Sequence, residues 1–290
     1  MKNLLTSFFL ILTTLVFAQK DFQGYVVYES KTSVSDFKMG GNREITPEMQ
    51  KMIDERMKKL SEKTFDLYFD LNASIYKEQE KLETPGTQGG GSMRMMASFA
   101  GGGGTFYKNV KTKNYVVDKE IFGKEFLVKD SLPKYDWKMT GESKKIGNYT
   151  CFKATAKVKP SQSDFRNMRR KKQEETTDEK KNDRPTNFMD QMEMPTEIEV
   201  VAWYSPDIPV SQGPEMYYGL PGLILEVAAD KTIILASKVV LNAKDKKEIK
   251  APTNGKEINQ KDFDETVTKK MQEMRDMYQN GRGNQMRIPR

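Results

Sequence analysis

Residues 149–158 read Tyr-Thr-Cys-Phe-Lys-Ala-Thr-Ala-Lys-Val. In an extended chain successive side chains point to opposite sides, so this stretch has one small or apolar face and one polar face. The first face comprises Phe152, Ala154, Ala156 and Val158, and the second comprises Lys153, Thr155 and Lys157. Such an alternation is typical of an antiparallel sheet with one packed side and one solvated side. The stretch therefore predicts a strand.

Strand-like segments recur along the chain, and two segments have a helical period instead. Apolar residues at spacings of three and four predict amphipathic helices over 47–63 and 261–279. Runs rich in β-branched and aromatic residues predict strands. These runs lie at 24–30, 64–77, at several points between 106 and 158, and at 197–204, 223–227 and 232–241. The predicted fold class is mainly β (α+β), a curved antiparallel meander sheet or half-barrel with one or two amphipathic helices.

Glycine, proline and asparagine mark the expected breaks between these elements. Asn280-Gly281 is expected to end the second helix. Between the strands of the central region, turns are expected at Gly123, Pro133, Gly141 and Gly147-Asn148.

Residues 19–279 are expected to form a single β-rich domain, because 261 residues are enough for one core. Two flexible inserts are expected within it. The insert at about 84–104 is rich in glycine, and the insert at 161–195 contains the charged run 166–184, which lacks apolar residues to bury. Residues 280–290 are expected to be a basic disordered tail.

Residues 1–18 have the layout of a secretory signal peptide, with Lys2 followed by a short apolar stretch and Ala18 at the expected cut. No cysteine is present there to accept a lipid, and no transmembrane segment is expected after cleavage. The protein is therefore expected to be exported to the periplasm, the outer-membrane periphery or the exterior. The single cysteine, Cys151, is expected to be a small buried residue, with an intermolecular disulfide as the alternative.

Composition excludes several classes of function. Histidine is absent, which removes Ser/His/Asp and Cys/His catalysis and histidine-based zinc sites. Among 41 Asp and Glu residues no catalytic pair can be nominated. The sequence therefore predicts a non-catalytic protein without a cofactor and without a nucleic-acid partner. The net charge of +7 favours either an anionic surface as partner or solubility alone.

The hexapeptide Gly219-Leu220-Pro221-Gly222-Leu223-Ile224 is the segment most useful for classification. It spells the motif that names the GLPGLI family, which this chain resembles. The resemblance implies an exported protein of the Bacteroidetes with no established activity, often found beside TonB-dependent outer-membrane receptors. Outer-membrane receptor components, a peptide or a lipid are the partners it suggests. The layout is also loosely similar to the half-barrel of lipoprotein carriers.

The same hexapeptide has two physical interpretations. Proline fixes φ and glycine permits φ above zero, so the segment favours a tight corner that closes the fold. Alternatively, the corner and the preceding loop shape a binding mouth. The aromatic residues that would line this mouth are Trp203, Tyr204, Tyr217 and Tyr218.

Methionine, with 18 residues, supports an alternative function. Thioethers are soft ligands that select Cu(I) or Ag(I), and three clusters have suitable spacing. The candidate ligands are Met93, Met95 and Met96, and Met189, Met192 and Met194, while the third cluster, Met271, Met274 and Met277, lies in the predicted second helix. Ordinary packing by a flexible side chain explains the same residues. An unrecognised hydrolase that uses carboxylates is the third class left open.

Overall fold

The computed structural model describes residues 22–33, 46–79, 104–171, 192–242 and 247–284. Within these residues two α-helices and fourteen strands are present. In chain order the elements are β1 (Gly24–Thr32), α1 (Pro47–Ser61), β2 (Glu62–Phe69), β3 (Ala73–Glu78), β4 (Thr105–Asn109), β5 (Asn114–Ile121), β6 (Lys124–Ser131), β7 (Lys138–Ile146), β8 (Tyr149–Val158), a 3₁₀ turn (Phe165–Asn167), β9 (Arg169–Arg170), β10 (Met192–Glu193), β11 (Ile198–Ser205), β12 (Leu223–Ala229), β13 (Thr232–Leu241), β14 (Lys256–Ile258) and α2 (Gln260–Asn284).

Twelve of the described strands form one open, curved sheet in the order β14-β6-β5-β4-β3-β2-β1-β13-β12-β11-β8-β7. Every neighbouring pair is antiparallel except β14 and β6, which are parallel. Strand β1 lies between β2 and β13 and thereby joins the part of the sheet that contains β2 to β6 to the part that contains β7, β8 and β11 to β13. The predicted fold class, a mainly β protein built on a curved antiparallel sheet, is confirmed.

The segment 64–77, predicted as one strand, is a hairpin of β2 and β3. The break occurs at Asp70, whose side-chain oxygen Oδ1 accepts hydrogen bonds from the backbone N–H groups of Asn72 and Ala73, each at 2.7 Å. A short polar side chain that bonds the backbone two and three residues onward favours a turn over a continued strand. Leu71 is consequently exposed at the tip rather than buried with Phe69.

Helix α2 packs on the inner face of the β5–β6 end of the sheet. Phe263 is fully buried, Val267 is 1% exposed, and Met271 packs against the same cluster, as the predicted apolar stripe requires. The ring of Phe263 meets the ring of Phe126 edge-on, with centroids 5.6 Å apart. The helix continues to Asn284, so the stop expected at Asn280-Gly281 is wrong.

Cys151 lies at the start of β8 with no exposed surface. Burial raises the pKa of its thiol to about 11, so the group stays protonated and unreactive near neutral pH. The structure thus places Cys151 where a small apolar residue would sit. A disulfide to a second chain would require the core to open.

The two margins of the sheet are short or irregular. Strand β14 has three residues and pairs only with β6. At the other margin, β7 carries Lys138, Lys144 and Lys145 and loses its register with β8 between Met139 and Ser143. Gly141, predicted to form a turn, lies inside this irregular strand with φ of 78°. The prediction of a turn there is therefore wrong, since the glycine accommodates a bulge instead.

The hexapeptide forms the corner that leads into β12. Leu220, Leu223 and Ile224 are buried, while Gly219 is exposed and has φ of +96°, in the region that favours glycine. Gly222 approaches the backbone so closely that an added Cβ would overlap the carbonyl of Ser205 at the end of β11. The segment is therefore a tight corner packed against the end of β11, and its role in closing the fold stays a prediction.

No helix among the described ranges combines the length and apolar character that crossing a membrane demands.

We expect Gly222→Ala to lower the free energy of unfolding by about 3 kcal/mol, because the new methyl group must displace backbone rather than a flexible side chain. The exposed neighbour Pro221 provides the control, and Pro221→Ala should cost less than about 1 kcal/mol. Urea unfolding followed by circular dichroism measures both. Equal, small losses in the two variants would show that the close approach at Gly222 is unimportant.

Candidate functional site

A cavity of about 480 Å³ lies on the inner face of the sheet, and we call it the central cavity. Its apolar wall on one side comes from β2 to β5, and on the other side from β11 to β13. In the sheet order these two groups flank β1, which alone separates β2 from β13, so they line one continuous stretch of the curved sheet. The apolar wall consists of Phe65, Tyr76, Phe106, Tyr115, Val117, Ile121, Ile198, Val227, Ala229 and Ile234.

Three other segments line the central cavity with polar groups. Residues 159–167, between β8 and β9, contribute Asp164 and Arg166. The loop between β11 and β12 contributes Glu215, and the first turns of α2 contribute Gln260 and Asp264. The cavity therefore combines a broad apolar wall with a cluster of charged and amide groups.

Arg166 is held between two carboxylates. Its guanidinium donates to Asp164 at 2.9 and 2.8 Å and to Glu215 at 2.7 and 3.2 Å. The side chains are only 15% exposed for Arg166, 25% for Asp164 and 17% for Glu215. Burial alone would raise the pKa of Asp164, but the adjacent guanidinium outweighs it and holds that pKa below the usual range.

The position of Arg166 corrects a prediction. The charged run that begins at Arg166 was expected to be a solvated insert, and for Arg166 this is wrong. Its two partners supply the compensation that a buried charge requires. Residues 172–191 of the same insert, and 84–103 of the glycine-rich insert, lie outside the described residues.

Lys108 of β4 is fully buried and forms hydrogen bonds with the loop between β11 and β12. Its ammonium donates to the backbone carbonyl of Gly213, to that of Glu215 at 2.8 Å and to that of Tyr217 at 3.1 Å. Burial lowers the pKa of Lys108 to about 7, while the charge of Glu215 opposes this shift. One side chain thus satisfies three carbonyls of a loop that lies outside the strands of the sheet.

Glu215 is fixed from two directions. Its carboxylate binds Arg166 and its carbonyl accepts from Lys108. Its backbone has φ of 47°, a conformation that side chains other than glycine adopt at an energetic cost. The two interactions together hold this strained residue and fix the part of the loop that faces the central cavity.

The structure brings together only part of the predicted aromatic mouth. Tyr217 and Tyr218 lie beside Tyr135, with ring centroids 5.8 Å away in each case. Trp137 stacks on Tyr135 at 5.1 Å and donates from Nε1 to the carbonyl of Tyr218 at 2.9 Å. The cluster that forms therefore contains two residues, Tyr135 and Trp137, that the sequence did not nominate.

The other two predicted residues have separate positions. Tyr204 is 7% exposed, packs with Leu220, and donates from its hydroxyl to the sulfur of Met139 at 3.5 Å. Trp203 points to the opposite face of β11, where the ammonium of Lys144 lies 4.3 Å from its ring centroid. The binding role of all four aromatic residues stays a prediction.

The predicted metal ligands are largely outside the described residues. This holds for Met93, Met95, Met96 and Met189. Met192 belongs to β10 and Met194 is partly buried just after it. Among the described residues no group of three or more Asp, Glu or Cys is arranged to hold a metal ion. Metal binding by the methionines stays a prediction.

Sequence reasoning missed Lys108, Lys119 and Arg166. A usable signal existed for the first two, because each continues an inward-facing alternation. Lys108 follows Phe106 on β4, and Lys119 follows Val117 on β5. A charged residue at an apolar-face position indicates either a buried partner or a site. Arg166 gave no such signal, since its partner Glu215 lies 49 residues away.

Comparison with known proteins gives a family match of limited extent. Residues 137–226 match a family model described as "Protein of unknown function (Porph_ging)", and this range includes the hexapeptide. The match covers under a third of the chain and supports similarity to a family without an assigned function. The GLPGLI name stays a prediction.

Two solved structures of PNGF-II, in different crystal forms, also match. Each covers 82% of this chain at 12% sequence identity, with TM-scores of 0.42 and 0.41. The chain spans 31% of the length of those structures. Similarity at this level says nothing about ligand or activity. No curated protein matches the chain.

We expect Lys108→Met to lower the free energy of unfolding by about 3 kcal/mol, because three carbonyls lose their donor while the apolar stem is kept. Lys111→Met is the matched control on an exposed turn and should change stability by less than about 0.5 kcal/mol. Denaturant unfolding of both variants measures the difference. An unchanged free energy of unfolding in Lys108→Met would mean that the hydrogen bonds of Lys108 do not stabilise the loop.

Asp164→Asn tests the ion cluster through its pH dependence. The pKa of Asp164 is lower folded than unfolded, so its stabilisation is complete above the unfolded pKa of about 3.9 and is lost as pH falls through the folded value. We expect a loss of about 3 kcal/mol at pH 6 that shrinks as the pH is lowered below about 4.

The control for this experiment is Asp136→Asn, because the side chain of Asp136 is 87% exposed although it forms an ion pair with Lys134. It should change stability by less than about 1 kcal/mol at either pH. A difference between wild type and Asp164→Asn that stays constant with pH would contradict a charged, stabilising Asp164.

Proposed function

We propose that this protein is an exported, non-catalytic binding or carrier module that holds an amphiphilic guest in the central cavity. The observation that carries the proposal is the juxtaposition of a broad apolar wall and a compact polar cluster in one space of about 480 Å³. This volume is within the range of about 300–1,000 Å³ typical of small-molecule sites. Export rests on the signal-like residues 1–18, which lie outside the described residues.

The state of the carboxylates supports binding over catalysis. Asp164 and Glu215 are engaged by Arg166, and Asp264 accepts hydrogen bonds from Ser161 and Gln260, at 2.9 and 2.7 Å. A carboxyl group that acts as general acid requires a raised pKa, whereas that of Asp164 is lowered. In this proposal the polar cluster orients a guest and fixes the surrounding loops.

The wall offers the contacts that an apolar guest requires. The ring of Phe65 stacks on Tyr76 at 4.6 Å between centroids, and the ring of Phe106 stacks on Tyr115 at 5.6 Å. Aromatic surfaces of this kind supply large apolar contact area with little loss of side-chain freedom. A guest whose apolar part lies against these rings and whose polar part meets the cluster satisfies both halves of the central cavity.

The test uses two neighbouring isoleucines of β13 that point to opposite faces. Ile234 is 2% exposed and lines the central cavity, whereas Ile233 is 52% exposed on the other face. We expect saturable binding of the neutral apolar dye Nile red by the delipidated protein. Ile234→Trp should weaken this binding at least about tenfold by filling the cavity, and Ile233→Trp should leave it unchanged.

Far-UV circular dichroism establishes that each variant is folded. If Ile234→Trp does not fold, Val227→Phe fills the same cavity from β12 and replaces it. Either equal binding by the inward and outward variants, or no saturable binding by the wild type, would overturn the proposal. Native mass spectrometry of protein purified without delipidation should additionally detect one bound small molecule per chain.

A further inference from the structure

Lys119 contributes a cation to the central cavity that is not engaged by a carboxylate. Its ammonium lies 5.0 Å from the centroid of the Phe263 ring, and among the described residues it makes no hydrogen bond and no ion pair within 4.0 Å. Burial lowers the pKa of Lys119, while the charges of Asp164 and Asp264 oppose that shift. Arg166, in contrast, is engaged by two carboxylates.

Tyr76 contributes a hydroxyl group that also has no partner. The residue is 4% exposed and lines the central cavity, and its hydroxyl makes no hydrogen bond among the described residues. Its neighbour Tyr28, with which it is in edge contact, donates to the carbonyl of Ile224 at 2.6 Å. A buried tyrosine hydroxyl ordinarily finds such a partner, so the hydroxyl of Tyr76 indicates a place for a ligand atom.

The two groups line the same cavity from nearby strands, β3 and β5. On neighbouring strands Tyr76 lies opposite Phe106, and Phe106 lies opposite Val117. Lys119 is the next inward residue after Val117 along β5. Arg166 and Glu215, which form the ion pair, line the same cavity as Tyr76 and Lys119.

Both groups are donors, so the ligand atom they fit is an acceptor. Burial, and then the charge of Glu215, raise the pKa of Tyr76 well above its usual value, and its hydroxyl therefore keeps its proton. An ammonium and a hydroxyl match the two oxygens of one carboxylate. Asp164 and Asp264 line the same cavity as Lys119, and their negative charges disfavour a doubly charged group such as a phosphate monoester.

We propose that Lys119 and Tyr76 bind the carboxylate of an aliphatic carboxylic acid whose chain lies along the aromatic wall of the central cavity. This assignment rests on the proposed binding function and names its class of ligand. Phe65, Phe106 and Tyr115 then contact the aliphatic chain, and the ion pair of Arg166 and Glu215 holds the surrounding loops in place.

The experiment compares three probes with the same chain and different head groups: dodecanoate, dodecanol and dodecylamine. Isothermal titration of the delipidated protein should show dodecanoate binding at least about tenfold more tightly than dodecanol, and dodecylamine more weakly still. Equal affinities, or preference for the amine, would overturn the assignment. Failure of all three probes and of Nile red would instead overturn the proposed function.

Variants separate a head-group role from a structural one. Lys119→Met should weaken the binding of dodecanoate at least about tenfold, and Tyr76→Phe should weaken it about fivefold. Nile red binding should be unchanged in both variants. Lys119→Arg should restore part of the affinity because it keeps the charge. The matched controls are Lys124→Met, at an exposed position, and Tyr68→Phe, on the opposite face of β2.

The controls should retain the affinity of the wild type for dodecanoate. If Lys119→Met and Tyr76→Phe also retain it, the assignment of the head group is wrong although the central cavity still binds. If either variant loses the binding of both dodecanoate and Nile red, the side chain has a structural role and the assignment is equally overturned.

Discussion

The contact of Lys108 with three carbonyls of the β11–β12 loop is the interaction on which the interior of this protein depends. It joins β4, on one side of the curved sheet, to the connection between two strands on the other side. A sheet without such a tie can flatten, because its hydrogen bonds run only between adjacent strands. The buried ammonium therefore holds the two sides at the separation that leaves room for a cavity.

The arrangement around Arg166 extends this constraint. The carbonyl of Glu215 accepts a hydrogen bond from Lys108, and its carboxylate accepts from Arg166. Two charged side chains from distant segments thus meet at one loop residue. Buried ion pairs are weak evidence for stability alone, but they fix geometry when every partner is satisfied. The same loop ends in the hexapeptide corner, whose Gly222 packs against the end of β11. The loop that borders the cavity and the corner that leads into β12 thus belong to one segment of the chain.

Local pattern was sufficient to predict most of the strands and both helices. The hairpin of β12 and β13 follows from the two-residue period of an extended chain, which acts within one segment. In β8 the predicted packed face is confirmed for Ala154 and Ala156 but is wrong for Phe152, which is 38% exposed. The turn at Asp70 was missed because Leu71 continues the apolar alternation, whereas the decisive hydrogen bonds are those of the Asp70 side chain.

The polar part of the site was much less predictable. Arg166 stands in a run whose composition indicates solvation, and nothing near it in sequence reveals Glu215 as a partner. Lys108 and Lys119 interrupt inward-facing apolar rows, a pattern that identifies them as unusual without stating their roles. Pairing between distant segments decides such roles, and a single sequence does not contain that information.

The irregular margins of the sheet have a consequence for the behaviour of the chain in concentrated solution. A long, flat strand at a sheet margin offers unpaired backbone groups to other molecules and so promotes assembly into fibres. Here one margin is only three residues long, and the other is interrupted by a bulge and carries repeated lysines. Neither margin provides a template of useful length, so an open sheet can keep its backbone edges without recruiting copies of itself.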